Sequence, residues 1–336
     1  MLDTSALISI LMSIRNAEPF LVECLESIRD QSWKEWELLA VDDHSTDASA
    51  AILESFARQD SRIQPLRNPG KGIIPALRHA FSRSRGQLIT RMDADDRMAN
   101  FKLETLAQVL RERRKGHVVA GKVSYFSQSK LGAGYRKYAD WLNGVVAENN
   151  WQANLYRECV LPSPCWMAFR DDLAWSGAFE GSRYPEDYDL CFRLRSAGLR
   201  FVGVPEVLHF WRDHPARSSR TQKVYRENSF FELKLDWFLR LDRDFDRPLC
   251  LWGAGKRGKE VARRLQHRGA IFRWITDNPE KQGKNIYGIA IEAMSDVRET
   301  KLAQWCIVVS SQDERKEIRD RLAQKGVSPS ALFSFR

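Results

Sequence analysis

A chain of 336 residues is long for one hydrophobic core and comfortable for two domains. Apolar residues at 43% and charged residues at 29% exclude a disordered chain and point to a packed interior. The net charge of +9 is uneven: residues 247–336 carry 18 Lys and Arg against 10 Asp and Glu, and the rest is nearly neutral, so any basic face lies toward the C-terminus.

The cysteines Cys24, Cys159, Cys165, Cys191, Cys250 and Cys306 form no C-x-x-C pair, which argues against a zinc site or a disulfide framework and for a reducing cytoplasm. The apolar stretch Ala6–Ile14 is too short to span a bilayer, and Asp3 stands where a signal peptide carries positive charge. A cytoplasmic protein is expected. Its basic part could lie against an anionic membrane surface or be plain solvated surface, and no nucleic acid is expected as a partner.

In chain order, strand-length apolar runs alternate with amphipathic helical stretches: Leu7–Ile14, Glu18–Gln31, Glu37–Asp42, Asp47–Gln59, Ile63–Leu66, Ile73–Ser84 and Gln87–Met92. Such a β-α-β-α rhythm predicts a mainly parallel α/β sheet with ligands at the carboxyl ends of its strands. From Tyr125 to Trp175 aromatics accumulate, most of them expected in the core and a few along an acceptor cleft. Residues 221–246 read as one amphipathic linker helix between a first domain (1–220) and a small last one (247–336).

Three acidic clusters fall where strands should end. VDDHSTD (Val41–Asp47) delivers Asp42 and Asp43 to a strand end, and its Ser45–Asp47 stretch can cap the next helix. RMDADD (Arg91–Asp96) places Asp93 and Asp95 two residues apart, a spacing that suits one hard cation holding a diphosphate and equally describes an acidic surface loop. YPEDYDL (Tyr184–Leu190) puts Glu186 and Asp187 at a helix N-terminus, where negative charge is favoured in any case.

Together the segments SILMSIRNAEPFLVECLESIRDQSWKEWELLAVDDHSTD, NPGKGIIPALRHAFSRSRGQLITRMDADD and YPEDYDLCFRLRSAGLRF resemble the inverting family 2 glycosyltransferases, over roughly residues 5–220. The resemblance implies a GT-A fold and an enzyme that moves a sugar from a nucleoside-diphosphate sugar, UDP-type above all, to an acceptor hydroxyl. By the same resemblance Asp43 and Ser13 contact the nucleobase, Asp93 contacts ribose or metal, and Asp95 binds Mn²⁺ or Mg²⁺. Asp187 is the implied catalytic base, and HFWRDHPARSSR supplies a metal-site histidine, His214 or else His209. Arg78 and Lys71 could reach the donor phosphates. No Q-x-x-R-W motif is present, so addition of one or a few sugars to a glycan or lipid-linked acceptor of bacterial lipopolysaccharide or cell-surface polysaccharide is expected rather than polymerisation.

The tail carries its own motif. LCLWGAGKRGKEVARRL sets Gly253, Gly255 and Gly258 in G-x-G-x-x-G spacing between a strand and a helix, and Asp277 follows the next strand, as in a dinucleotide site for NAD or a second nucleotide. This segment resembles the small sugar-nucleotide-binding domain of bacterial sugar acyltransferases, and a domain kept for docking or oligomerisation fits it as well. A sugar nucleotidyltransferase needs a glycine-rich loop where SIRNAEPF stands, and a non-enzymatic sugar-nucleotide sensor needs no base at Asp187.

Overall fold

The computed structural model describes residues 6–127, 131–183, 185–215, 217, 220, 230–298 and 300–335. Contacts divide the chain into two compact units, Met1–Trp151 with Cys159–Arg226 and Gln152–Glu158 with Glu227–Arg336.

The first unit opens with β1 (Ile8–Ile14), α1 (Glu18–Arg29), β2 (Trp36–Asp42), α2 (Ser49–Gln59), β3 (Ile63–Arg67), α3 (Ile73–Arg83) and β4 (Leu88–Asp93). It continues through β5 (Arg97–Met98), α4 (Lys102–Arg113), β6 (His117–Phe126), α5 (Ala133–Glu148) and the single turn α6 (Trp151–Asn154), which falls at the boundary between units. It ends with β7 (Trp166–Phe169), α7 (Arg170–Ser176), α8 (Glu186–Ser196) and β8 (Arg200–Arg212). The sheet order is β3-β2-β1-β4-β7-β6-β8-β5. Pairing is parallel from β3 to β4 and between β6 and β8, whereas β7 runs antiparallel to both its neighbours and β5 to β8.

Sequence dictates this locally. Ile8, Ile10, Met12 and Ile14 alternate onto one face of β1, where Leu21, Cys24, Leu25 and Ile28 of α1 and Leu103, Leu106, Ala107 and Leu110 of α4 meet them at helical spacing. Burial of such a stripe drives folding, and truncating one of these leucines to alanine costs about 2–5 kcal/mol. The register sets Ser13 beside both Val41 and Asp93, so the carboxyl ends of β1, β2 and β4 lie side by side.

The second unit contains α9 (Phe231–Leu241), β9 (Leu249–Trp252), α10 (Lys256–His267), β10 (Arg273–Ile275), β11 (Asn285–Ile286), β12 (Ile289–Glu292), β13 (Gln304–Ile307), α11 (Gln312–Gln324) and β14 (Leu332–Ser334). Its sheet runs β11-β12-β10-β9-β13-β14, parallel throughout except at the β11–β12 hairpin. Strand order reverses beside β9, as in a Rossmann-like unit. Of the helix expected over 221–246, α9 forms, and residues 221–229 lie outside the described residues. Tyr156 explains why residues 152–158 segregate here. Its ring packs 5.9 Å from Phe238, 5.6 Å from Phe333 and 5.5 Å from Phe335, and its hydroxyl bonds to Asp242.

Candidate active site

Each acidic cluster stands at the carboxyl end of a strand or the start of a helix in the first unit. Asp43 directly follows β2 and is 2% exposed. It accepts hydrogen bonds from Asn68 Nδ2 at 2.6 Å and the Gly72 amide at 2.9 Å, with the Arg15 guanidinium at 3.3 Å. It therefore fastens the 68–72 loop that leads into α3, a duty its motif did not announce. Gly72 makes that approach with φ of 93°, a left-handed conformation glycine adopts without strain. Asp43 lies two strands from Asp93, roughly 10 Å at ordinary strand spacing, with Ser13 between them.

Asp93 closes β4, and the chain turns through Asp95 and Asp96, the Asp96 amide bonding back to the Asp93 carbonyl at 3.2 Å. Arg212, at the end of β8, locks this turn: its Nε donates to the Asp95 carbonyl at 2.7 Å and its amide to Asp96 Oδ1 at 2.8 Å. Two residues on, His214 Nε2 lies 2.9 Å from Asp95 Oδ2, its ring against Phe20 at 4.5 Å. The side chains of Asp93, Asp95 and His214 keep 36%, 28% and 14% of their surface accessible. Adjacent ligands of a six-coordinate cation with bonds of about 2.1 Å stand roughly 3 Å apart. The Asp95–His214 hydrogen bond spans a comparable distance, and an imidazole beside a carboxylate suits Mn²⁺ better than Mg²⁺, whose ligands are oxygens. Among the described residues no three His, Cys, Asp or Glu side chains form a ready-made cage, so a cation here needs oxygens from its ligand.

The third cluster faces the same place. Arg91, 2% exposed on β4, reaches Asp93 Oδ1 at 3.4 Å and Glu186 Oε1 at 3.6 Å. Burial pushes Glu186 up to about 7, with the Asp187 charge adding to the rise and Arg91 opposing it. Asp187 is raised too, by burial first, while Arg91 and the hydrogen bond from the Tyr188 amide at 2.8 Å pull the other way. Asp93, though partly accessible, is likewise raised, desolvation and the neighbouring Asp95 outweighing Arg91. Two motifs remote in sequence, RMDADD and YPEDYDL, thus share one electrostatic neighbourhood, while Asp43 stands apart among Asn68, Gly72 and Arg15.

Two candidates sit differently from expectation. His209 is fully buried, Nε2 at 2.9 Å from Asp96 Oδ2 and Nδ1 at 3.3 Å from Lys102 Nζ, so it supports the turn from beneath. Burial, with Lys102 nearby, holds it well below its usual pKa, in the neutral form. Arg78 donates to the carbonyls of Phe179 and Glu180, both at 3.0 Å, which makes it a tether for the loop before α8; Lys71 is exposed. Sequence reasoning gave Arg91 no role, although a charge inside an apolar strand is itself a signal.

In the second unit, Gly253, Gly255 and Gly258 do connect β9 to α10. A Cβ at Gly258 would meet the Gly253 carbonyl at 1.9 Å and one at Gly253 the Val308 carbonyl at 2.4 Å, whereas one at Gly255 would meet nothing within 4 Å. Asp277 is held by both Arg321 nitrogens at 3.1 Å and by Trp252 Nε1 at 3.2 Å.

Comparison with known proteins agrees with the first unit. Residues 9–175 match the profile of glycosyl transferase family 2. The glycosyltransferase GlyG of Streptococcus pneumoniae serotype 4 is 36% identical over 227 residues, 65% of this chain and 74% of its own length. GlyA of the same organism is 30% identical over 221 residues, 63% of this chain and 31% of its own. The structure of S. aureus TarS residues 1–349 with UDP-GlcNAc superposes with a TM-score of 0.55 at 15% identity, over 78% of this chain and 72% of that one, a likeness of fold. The chain is therefore a glycosyltransferase and belongs to glycosyl transferase family 2.

Proposed function

We propose that the chain transfers a sugar from a nucleoside-diphosphate sugar of the UDP type to an acceptor hydroxyl, with inversion at the anomeric carbon and with help from a divalent cation. The observation that carries this reading is the meeting of Asp93 and Glu186 on one buried guanidinium, with Asp95 and His214 alongside. Asp95 and His214 would hold the cation together with oxygens of the donor, Asp93 the cation or the ribose, and Ser13 and Asp43 the base of the nucleotide. A bound cation would neutralise charge on the leaving diphosphate.

Asp187 acts as general base. It takes the proton of the acceptor hydroxyl as that oxygen bonds to the anomeric carbon, while the bond to the diphosphate breaks and its electron pair leaves with the phosphate. Burial supports the role, because a carboxylate whose pKa is raised is a stronger proton acceptor than a free one. A glycan or lipid-linked glycan of the bacterial cell surface is the acceptor class implied by the family, and an anionic membrane surface would present it. No described helix is long and apolar enough to cross a membrane.

Nucleotide sugars assayed singly with Mn²⁺ or Mg²⁺ test this. At least one is expected both to protect the protein against heat and to release its nucleotide in a metal-dependent manner. Protection without release under any condition contradicts transfer and favours a sensor.

A further inference from the structure

The centre of a parallel sheet covered on both faces is apolar ground, and β4 follows that rule at every other buried position but one polar threonine. Leu88, Ile89 and Met92 are buried on the strand, and Leu11 stands opposite Arg91 in register. Arg91 shares its surroundings with Ile74, Leu77 and Leu190, against which a methionine would pack as well. A buried ion pair seldom stabilises a fold more than an apolar replacement of similar volume. Folding alone thus gives no reason for a guanidinium here.

Geometry supplies one. The two-residue period of a strand turns Arg91 and Asp93 to the same face, so the cation sits one pleat behind the carboxylate. From there the same nitrogen approaches Glu186, the first residue of α8 and the neighbour of Asp187 in the chain. We propose that Arg91 is a positioning residue of the transfer reaction, a buried clamp that fixes the spacing between the donor-side turn at Asp93 and the helix start that carries Asp187. The inference rests on the role of Asp187 proposed above. One nitrogen of the Arg91 guanidinium lies 3.4 Å from Asp93 and 3.6 Å from Glu186, and the rigid, permanently charged guanidinium plane fixes its place between them better than the flexible, readily neutralised lysine ammonium would. A base displaced by about 1 Å loses on the order of 100-fold in rate, so the clamp acts on turnover rather than on donor affinity.

The full chain carries the test, with Arg91→Met keeping the packing and Arg91→Lys keeping only the charge. UDP binding with Mn²⁺ is measured by calorimetry. Turnover is measured with whichever of UDP-glucose, UDP-galactose and UDP-N-acetylglucosamine the wild type consumes. Arg91→Met is expected to bind UDP within about threefold of wild type yet to lose roughly 100-fold in kcat with little change in KM. Arg91→Lys should recover about tenfold of that loss, since charge returns on a flexible stem without the rigid guanidinium plane. In the metal-free protein, amide exchange of Tyr188–Phe192 should quicken in Arg91→Met while the second unit is unchanged. Folded Arg91→Met with wild-type kcat and wild-type exchange overturns the clamp and leaves the transferase reading standing. A wild type that consumes no nucleotide sugar removes both. If Arg91→Met does not fold, Arg91→Gln replaces it under the same criteria.

Discussion

The two sheets of this chain present the same kind of edge, the carboxyl ends of parallel strands beside a reversal of order, but their acids are in opposite states. At the first edge Asp93, Glu186 and Asp187 crowd one arginine, and burial raises all three. At the second, Asp277 is matched by Arg321 and Trp252. Surplus negative charge shared by neighbouring acids is poised for a cation and a proton, whereas Asp277 stands exposed in a one-to-one ion pair with Arg321. The glycines differ likewise. Gly72 bends the backbone onto Asp43, while Gly253 and Gly258 are required by close approach of the chain to itself, with or without a ligand.

The contrast can be broken most forcefully at Asp187. Asp187→Asn should lower turnover by roughly 10²–10⁴-fold while UDP still binds, and undiminished turnover would remove Asp187 as base. In the wild type, the acid limb of the kcat profile should lie above that of a free aspartate, because the base must be ionised and burial raises Asp187. A limb at the ordinary carboxylate range contradicts the burial argument.

At the second edge, Gly258→Ala places a methyl on a carbonyl and should destabilise by about 3 kcal/mol or more, whereas Gly255→Ala should stay within about 1 kcal/mol by thermal unfolding. Equal effects would show that packing does not account for the motif. His214→Ala should raise the Mn²⁺ concentration for half-maximal activity about tenfold, and an unchanged metal requirement excludes His214 as a ligand.

The last effect is on the pH dependence of stability. Glu186 rises from 4.5 to about 7 on folding, so between those values the folded chain binds more protons than the unfolded one, and stability falls as pH rises through that window. Glu186→Gln should thus stabilise by up to about 3 kcal/mol near pH 8 and by almost nothing near pH 4. The same gain at both values contradicts a raised carboxyl.

Local signals made much of this legible. The runs from Leu7–Ile14 to Gln87–Met92 map onto β1 to β4 within a residue or two at most ends, because each carries its own period and breaker. Asp43, Asp93 and Asp95 announced themselves by following such runs, whereas Asp187 stands at the start of α8 after a loop and not at a strand end. What sequence could not reveal was long-range pairing: Arg91 reaching Glu186, His209 buried between Asp96 and Lys102, Arg78 spent on Phe179 and Glu180, and Tyr156 joining the second unit. None of these contacts leaves a periodic trace, since each depends on where two distant elements meet.

A crystal structure with UDP and Mn²⁺ reaches the central claim most directly. Anomalous manganese signal bonded to the Asp95 carboxylate and the UDP diphosphate, with the base near Asp43, is the predicted result. UDP seated away from Asp93 and Asp95, or Mn²⁺ bound without touching either, contradicts it.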